Sequence, residues 1–310
     1  MAEMVAEYLG VDPRLRTPIP IVSLDKPIVA CPFRDGICTK ASKGLAPICS
    51  VRQPKTDSLW IVCEHRLCAS TPKNQPLTPY QGEILVRIAD VVAPGWQEEA
   101  NLVFQREGKV RRRAGGSSSD DSSADYLMVF LDADSGKIHD RFKPIILEMQ
   151  GGGETSNTGA MTKHVQAWEN AGSADAELLM KSMPISSIET NAWRRQQEQF
   201  LIKGSVATRS NGKLVFVVGS RLYDKLLGNL TSPPTSIGVD GGWTLAILGV
   251  VEDENGAGLE HSVRLGIDKE RTLFTDYGSF ARALTDQGQF DPHLFHGVFQ
   301  SLDGTEITLG

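Results

Sequence analysis

The chain has 310 residues, of which 40% are apolar and 23% charged, and it carries a formal net charge of −6 with a pI near 5.6. This composition is that of a globular protein with a sizeable core in one or two domains, and the acidic balance argues against a protein that coats nucleic acid through a broad basic surface. No apolar stretch approaches the roughly eighteen residues that cross a bilayer, and no signal-peptide pattern is present, so we expect a cytoplasmic protein without a membrane partner.

The N-terminal region is expected to begin with a helix and to continue into a cysteine-rich segment. Residues 2–9 have an amphipathic helical pattern that stops at Gly10, and a proline-rich extended stretch starts at Pro18. Four cysteines then follow close together in the sequence, namely Cys31, Cys38, Cys49 and Cys63.

Clustered cysteines in a reducing cytosol are more often metal ligands or free thiols than disulfides. Four thiolates suit Zn²⁺ or iron, and such a tetrahedral site is closed and therefore structural. The spacings differ from the Cys-x2-Cys knuckles of zinc fingers, so buried free thiols remain the alternative. Cys68 is expected to be a fifth thiol without a ligand role. The sequence thus predicts a metal-binding subdomain over residues 1–70.

The remaining residues, 71–310, are expected to form a second domain. Prolines over 69–78 indicate a linker between the two. The stretch from Gly82 to Val92 is ambiguous between helix and strand, because its apolar residues fit either period. The apolar run over 102–105 indicates a strand.

A basic run follows that strand and is a candidate for contact with phosphate. It comprises Lys109, Arg111, Arg112 and Arg113, and residues 114–123 after it are rich in Gly and Ser, which indicates a flexible loop. Arginine forks match phosphate oxygens in geometry. An exposed, solvated charge run explains the pattern equally well.

Two apolar runs then predict a pair of antiparallel strands. They are Tyr126–Leu131 and Ile145–Gln150, and the turn-forming residues 132–137 separate them. Since side chains alternate along a strand, Glu148 and Gln150 share one face with Ile146. Pairing of the two strands would bring Asp125 near Glu148.

Two carboxylates on adjacent strands form a site suited to Mg²⁺, which lowers the pKa of bound water and stabilises charge on a phosphodiester. An Asp followed by a Glu-x-Lys-like pair resembles the PD-(D/E)xK nuclease active site, with Gln150 in place of the lysine. A glutamine can orient water but brings no positive charge. The rival choices for the upstream carboxylate are Asp120, Asp121, Asp132 and Asp134.

Beyond the second strand, Gly151–Gly153 permit close approach of the backbone to a phosphate. Helices are predicted over 159–170 and 175–182. Ser186 and Glu189 indicate a capping box that opens a longer helix to about Val206.

On that longer helix Asn191, Arg195 and Gln199 form a polar stripe, with Arg194 beside it, which could line DNA or a partner chain or be exposed. Lys163, on the helix before it, is a candidate for the charge that Gln150 lacks.

The C-terminal third shows no further catalytic motif. Apolar runs predict strands over 214–218 and 245–251, with a helix over 223–227 between them. Residues 254–256, with the sequence Glu-Asn-Gly, indicate a turn.

Taken in order, several motifs resemble the NotI family of type II restriction endonucleases. The matching elements are Cys31-Pro32-Phe33, Cys38, Cys49-Ser50-Val51, Trp60-Ile61-Val62-Cys63-Glu64-His65-Arg66, Asp125 and Leu147-Glu148-Met149-Gln150. The similarity extends through most of the chain, including Lys163-His164 and the stretch from Asn191 to Gln199.

The resemblance implies an α/β fold with a PD-(D/E)xK nuclease core, built on a mixed central sheet flanked by helices, and an N-terminal metal-binding subdomain with four cysteine ligands. It implies catalysis by Asp125, Glu148 and Gln150 with Mg²⁺, and one structural iron (or zinc) held by the four cysteines. It further implies a homodimer that cuts double-stranded DNA at a GC-rich palindromic site.

Two other functions remain open from the sequence. One is a non-catalytic, metal-stapled DNA-binding protein, and the other is a repair or recombination nuclease that recognises DNA structure. Cleavage that depends on Glu148 would exclude the first, and a preference for sequence would exclude the second.

Overall fold

A computed structural model describes residues 2–16, 18–22, 28–67, 76–110, 122–153, 155–172, 176–286, 288 and 293–309. Within these ranges the side chains of 122, 189–196 and 198 are outside the description. Residues 69–75 of the predicted linker over 69–78, the thiol of Cys68 and residues 114–121 of the predicted loop over 114–123 also lie outside the described residues. Residues 122 and 123, predicted to belong to that loop, lie in a strand instead.

A small antiparallel sheet forms the N-terminal part of the chain. Its strands are β1 (Met4–Tyr8), β2 (Ile48–Arg52) and β3 (Leu59–Ile61), in that order. The helix predicted over 2–9 is therefore wrong. Glu3 and Glu7 are spaced like one face of a helix, but both are fully buried. Each is paired with an arginine that is distant in sequence, which a local pattern cannot reveal.

A helix precedes the central sheet. Residues 82–92, whose pattern fits either a helix or a strand, are therefore helical. Helix α1 (Pro79–Val92) opens with a capping box, in which the backbone N–H of Gln81 donates to Thr78 and that of Thr78 donates to Gln81. Proline at the first helical position suits this start, because its missing N–H would have no partner there. A short helix, α2 (Trp96–Glu99), follows.

A six-stranded mixed sheet forms the centre of the molecule, in sequential strand order. The first three strands are antiparallel, the next two continue parallel to the third, and the last is antiparallel. The strands are β4 (Ala100–Val110), β5 (Ser122–Asp132), β6 (Ile145–Gln150), β7 (Lys213–Gly219), β8 (Leu245–Ala257) and β9 (Leu265–Thr275). The predicted strands over 102–105, 126–131, 145–150, 214–218 and 245–251 are confirmed.

Helices flank this sheet on both faces, which confirms the mixed α/β architecture. Between β6 and β7 lie α3 (Thr158–Asn170), α4 (Ala176–Leu179) and α5 (Glu189–Arg209), and later come α6 (Ser220–Gly228) and α7 (Tyr277–Thr285). Helix α1 packs on one face of the sheet, in a core with Met128 and Leu147. Helices α5, α6 and α7 pack on the other, in a core with Phe216 and Ile247.

The predicted start of the long helix is wrong. Helix α5 begins at Glu189 with Ile188 as its N-cap and no capping side chain. Ser186 instead pairs with Ser156, whose hydroxyl accepts from the backbone N–H of Ser186 at 2.9 Å. Ser186 therefore bonds to a residue distant in sequence, whereas the local pattern predicts that it caps the helix.

The turn predicted over 254–256 is also wrong. These residues remain within β8, where Glu252 and Ala257 both face Leu265 of β9, so the intervening residues form an irregular bulge. A Cβ at Gly256 would lie 2.4 Å from the backbone of Leu265, which explains a glycine inside the strand.

A hairpin of β10 (Gly297–Gln300) and β11 (Glu306–Leu309), not predicted from the sequence, is exposed throughout. In the part of the chain that the structure describes, no helix is long and apolar enough to cross a membrane.

Candidate active site

Strands β5 and β6 bring Asp125 and Glu148 together. Tyr126 pairs with Leu147 in the antiparallel register, so the next pair along the strands is Asp125 with Glu148. The backbone N–H of Met149 donates to Oδ2 of Asp125 at 2.8 Å, and the backbone N–H of Asp125 donates to the carboxylate of Glu148. The predicted proximity of the two carboxylates is confirmed.

The alternation of side chains along β6 is also confirmed. Ile145, Leu147 and Met149 belong to the core beneath α1, whereas Ile146 belongs to the core beneath α5. Glu148 and Gln150 share the face of Ile146 and thus face the layer of α5. The strand therefore presents its polar residues to one helix layer only.

Helix α5 supplies a lysine to this face that the sequence analysis did not anticipate. Nζ of Lys203 lies 2.5 Å from Oε1 of Glu148, and the two side chains are only 3% and 11% exposed. The contact is an ion pair. A buried cation is thus in direct contact with the central carboxylate of the site.

The pKa of Glu148 is raised to about 7. Burial is the largest cause, because removal from water disfavours the charged carboxylate, and the negative charge of Asp125 adds to it. The ammonium of Lys203 acts in the opposite direction. Burial beside a second carboxylate therefore outweighs the neighbouring ammonium and holds the pKa of Glu148 above its usual range.

These residues line a cleft of about 690 Å³ at the carboxyl end of β6. Its catalytic candidates are Asp125, Glu148 and Gln150, and Gln199 and Lys203 of α5 lie beside them. The cysteine-rich region supplies a further part of the wall, which includes Thr39, Lys40, Lys43, Cys63 and Glu64. Three lysines and three acidic side chains thus line the cleft.

The four predicted metal-binding cysteines are all free thiols and all buried. Cys63 accepts a hydrogen bond from Cys49, which lowers the pKa of Cys63 and raises that of Cys49. Burial raises the pKa of Cys31, and the neighbouring Cys63 and Cys38 add to that effect. The four thiols therefore belong to one neighbourhood, of which Cys63 lines the cleft.

The donor chemistry of this neighbourhood fits a soft metal such as iron or zinc. Among the described residues, however, no three His, Cys, Asp or Glu side chains are arranged closely enough to hold an ion. A four-thiolate site would require the thiols to draw together. In the cleft, Asp125 and Glu148 provide two hard oxygen donors, which fits Mg²⁺ because that ion keeps several water and substrate ligands.

The glycines after Gln150 allow close packing at the end of β6, and Gly151 and Gly153 also line the cleft. A Cβ at Gly152 would lie 2.3 Å from the ring of Trp60, and one at Gly151 would lie 2.7 Å from Ile61. The backbone N–H groups of Gly152 and Gly153 both donate to the carbonyl of Ile61, at 2.8 and 2.9 Å. These glycines let β3 lie directly against the end of β6.

A buried arginine fastens the cysteine-rich region to the rest of the molecule. Nε of Arg66 donates to Glu7 at 2.7 Å, and its other nitrogens donate to the hydroxyl of Tyr80 and the carbonyl of Val263. Its guanidinium also lies 4.4 Å from the centre of the Phe33 ring. This network joins four segments of the chain around one cation whose charge is fully compensated.

Other predicted site residues are not brought to the cleft. Lys163 is exposed on α3 and does not line it. Asp132 and Asp134 lie at the opposite end of β5 from Asp125, roughly 20 Å away at the usual rise per residue. The predicted contacts at Arg111, Arg112 and Arg113, the side chains of Arg194 and Arg195, and the rival residues Asp120 and Asp121 lie outside the described residues.

The sequence did contain a signal for Lys203. The polar stripe of Asn191, Arg195 and Gln199 has a period of four residues, and its next member is Lys203. Gln199 and Lys203 both line the cleft. Extending the stripe by one turn would have indicated a cation on the same helix face.

A scan against protein-family models and a search of curated proteins both give no match to this chain. The resemblance to the NotI family therefore stays a prediction that these comparisons do not test.

Proposed function

We propose that the chain is a type II restriction endonuclease that hydrolyses phosphodiester bonds of double-stranded DNA with Mg²⁺. The observation that carries this proposal is the convergence of Asp125, Glu148 and Gln150 in one cleft, with buried Lys203 in contact with Glu148. In this proposal the mixed sheet and its flanking helices are a PD-(D/E)xK nuclease core.

Asp125 and Glu148 would hold the Mg²⁺ ion. When bound, the ion supplies Lewis-acid stabilisation of negative charge on the phosphodiester and promotes ionisation of water. The backbone N–H of Met149 fixes the Asp125 carboxylate through a 2.8 Å hydrogen bond. Gln150 would orient the attacking water through its amide, since a glutamine can both donate and accept. The rigid strand pair keeps these groups in position.

Two lysines of the cleft could contact a DNA substrate. Lys40 and Lys43 line the cleft together with the carboxylates, and their ammonium groups would contact phosphate oxygens of the bound DNA. The lining holds three lysines and three acidic side chains, so it is balanced in charge although the chain as a whole carries a net charge of −6.

Cutting both strands needs two such clefts, and we propose that two copies of the chain supply them as a homodimer. A GC-rich palindromic target follows from the resemblance alone.

We also propose one structural iron or zinc ion held by Cys31, Cys38, Cys49 and Cys63. The buried thiols and the contact between Cys49 and Cys63 support this. Because Cys63 lines the cleft, an ion there would brace the wall that carries Lys40 and Lys43.

The test is cleavage of a fully sequenced plasmid by purified full-length protein with Mg²⁺, followed by mapping of the ends. We expect cuts at one short sequence, and no cleavage above background by Glu148→Gln. Asp134→Asn is the matched control, because this exposed carboxylate lies at the far end of β5 and should leave cleavage unchanged.

Several outcomes would contradict the proposal. Absence of cleavage by wild-type protein on unmethylated DNA would favour a non-catalytic DNA-binding protein. Ends scattered without sequence preference would favour a structure-specific nuclease. Retention of cleavage in Glu148→Gln would show that another site does the chemistry.

A further inference from the structure

Lys203 is held rigidly beneath the sheet by its own helix. One turn earlier on α5, Phe200 is fully buried, and its ring lies 3.9 Å from that of Phe216 and 4.8 Å from that of Phe280. Three residues after Phe200, Lys203 shares this inward direction. Its ammonium is therefore placed by packing, which distinguishes it from a flexible surface lysine.

The charges around Lys203 are unequal. Asp125 and Glu148 would bring two negative charges to the site, whereas Lys203 is the cation in direct contact with Glu148. Gln150 adds no charge, although it stands where the related nuclease pattern has a lysine. The chain thus provides the missing positive charge from a helix rather than from the strand.

We propose that Lys203 is the resident cation of this site. It pairs with Glu148 while no divalent ion is bound, yields that carboxylate to the ion when one arrives, and then supplies its positive charge to the phosphate of the substrate. This inference rests on the proposed function for its last step, but the exchange at Glu148 can be tested separately.

A purely structural ion pair is a weaker explanation of the same contact. Burying two charges costs free energy that their attraction only partly offsets, so an apolar pair would serve stability as well or better. The pair also lines an open cleft rather than a closed core, in reach of a ligand. A lysine that competes with a metal ion for Glu148 explains both the burial of the ion pair and its location in the cleft.

The first measurement is calorimetric titration of Ca²⁺ into wild-type protein and into Lys203→Met at pH 9. Ca²⁺ takes the same oxygen ligands as Mg²⁺ and serves here as a probe without turnover. Because the ion no longer meets the repulsion of an ammonium, we expect Lys203→Met to bind Ca²⁺ at least about tenfold more tightly. Lys181→Met, which removes an exposed lysine outside the cleft, should bind Ca²⁺ as wild type does.

The second measurement is plasmid cleavage with Mg²⁺ by the same proteins. Lys203→Met should cut at least about a hundredfold more slowly, as expected when a positioned charge is removed from a reacting group. Lys203→Arg keeps the positive charge, so it should retain the weaker Ca²⁺ affinity of wild type and more cleavage than Lys203→Met. It also provides a folded variant if Lys203→Met is unstable.

Tighter Ca²⁺ binding together with slower cleavage would support the inference. Unchanged or weaker Ca²⁺ binding by Lys203→Met, or wild-type cleavage by it, would overturn the inference while leaving the nuclease function intact. If wild-type protein does not cut DNA at all, the proposed function fails, yet the Ca²⁺ titration still decides whether Lys203 competes for Glu148.

Discussion

The contact between Gly152 and Trp60 offers a direct test of how the cysteine-rich region packs on the end of β6. Replacing Gly152 with alanine would place a Cβ 2.3–2.5 Å from three atoms of the indole ring, where ordinary contacts are 3.4–4 Å. The ring must therefore retreat by about 1 Å, yet Trp60 is 1% exposed and packed on all sides.

Overpacking of this kind costs about 1–3 kcal/mol of unfolding free energy. Since unfolding entropy scales at about 2.1 cal/mol/K per residue, a chain of 310 residues loses about 1.5 °C of Tm for each kcal/mol. Gly152→Ala should thus lower Tm by about 2–5 °C. Displacement of β3 should also slow cleavage, because the next residues carry Cys63 into the wall of the cleft.

Gly82→Ala is the matched control, because Gly82 lies within α1 and nothing stands within 4 Å of its added Cβ. This substitution should raise stability by roughly 0.5–1 kcal/mol through helix propensity. Thermal and urea unfolding would measure both variants. If Gly152→Ala proved as stable as Gly82→Ala, the close packing of β3 on β6 would be refuted.

Three further predictions concern the core, the acid stability and the thiols. Phe200→Ala should lower the free energy of unfolding in urea by about 3–5 kcal/mol. Leu201→Ala, at a position that is 39% exposed, should lower it far less, and equal losses would contradict the packing of α5. Burial opposes ionisation of Glu252, but ion pairs with Arg52 and a second arginine outweigh it and lower its pKa. Its contribution to stability is therefore present above pH 4.5 and is lost as the pH falls through the lowered pKa, so Glu252→Gln should flatten the acid limb of the stability profile. Elemental analysis should find about one iron or zinc per chain, reduced in Cys49→Ser, and a folded protein without either metal would exclude the structural ion.

Local sequence pattern was sufficient for the pair of strands β5 and β6. Alternation along β6 and the turn residues before it determined which side chains share a face, because a strand has a fixed period of two. The antiparallel register pairs Tyr126 with Leu147, and its continuation by one residue brings Asp125 to Glu148. The two main carboxylates of the candidate site were therefore predictable from neighbouring residues.

Local pattern failed where a residue has a partner far away in the chain. The pattern over residues 2–9 predicts a helix, but Glu7 lies in a strand and is buried against Arg66, 59 residues later. Ser186 was assigned to a helix cap, but Ser156 holds it. The periodic pattern of polar and apolar residues predicts which side chains are exposed. That prediction fails when a charged or polar side chain is buried with a compensating partner.

The amino-acid sequence by itself determined five strands of the central sheet, the placement of Asp125, Glu148 and Gln150, and the grouping of the cysteines, because each depends on short-range period and spacing. Only the tertiary structure decided the strands of the small sheet, the contact between Lys203 and Glu148, and the close packing of Trp60 on the glycines after β6. Those contacts join segments tens of residues apart, and their geometry depends on how the helix and the small sheet pack on the central sheet.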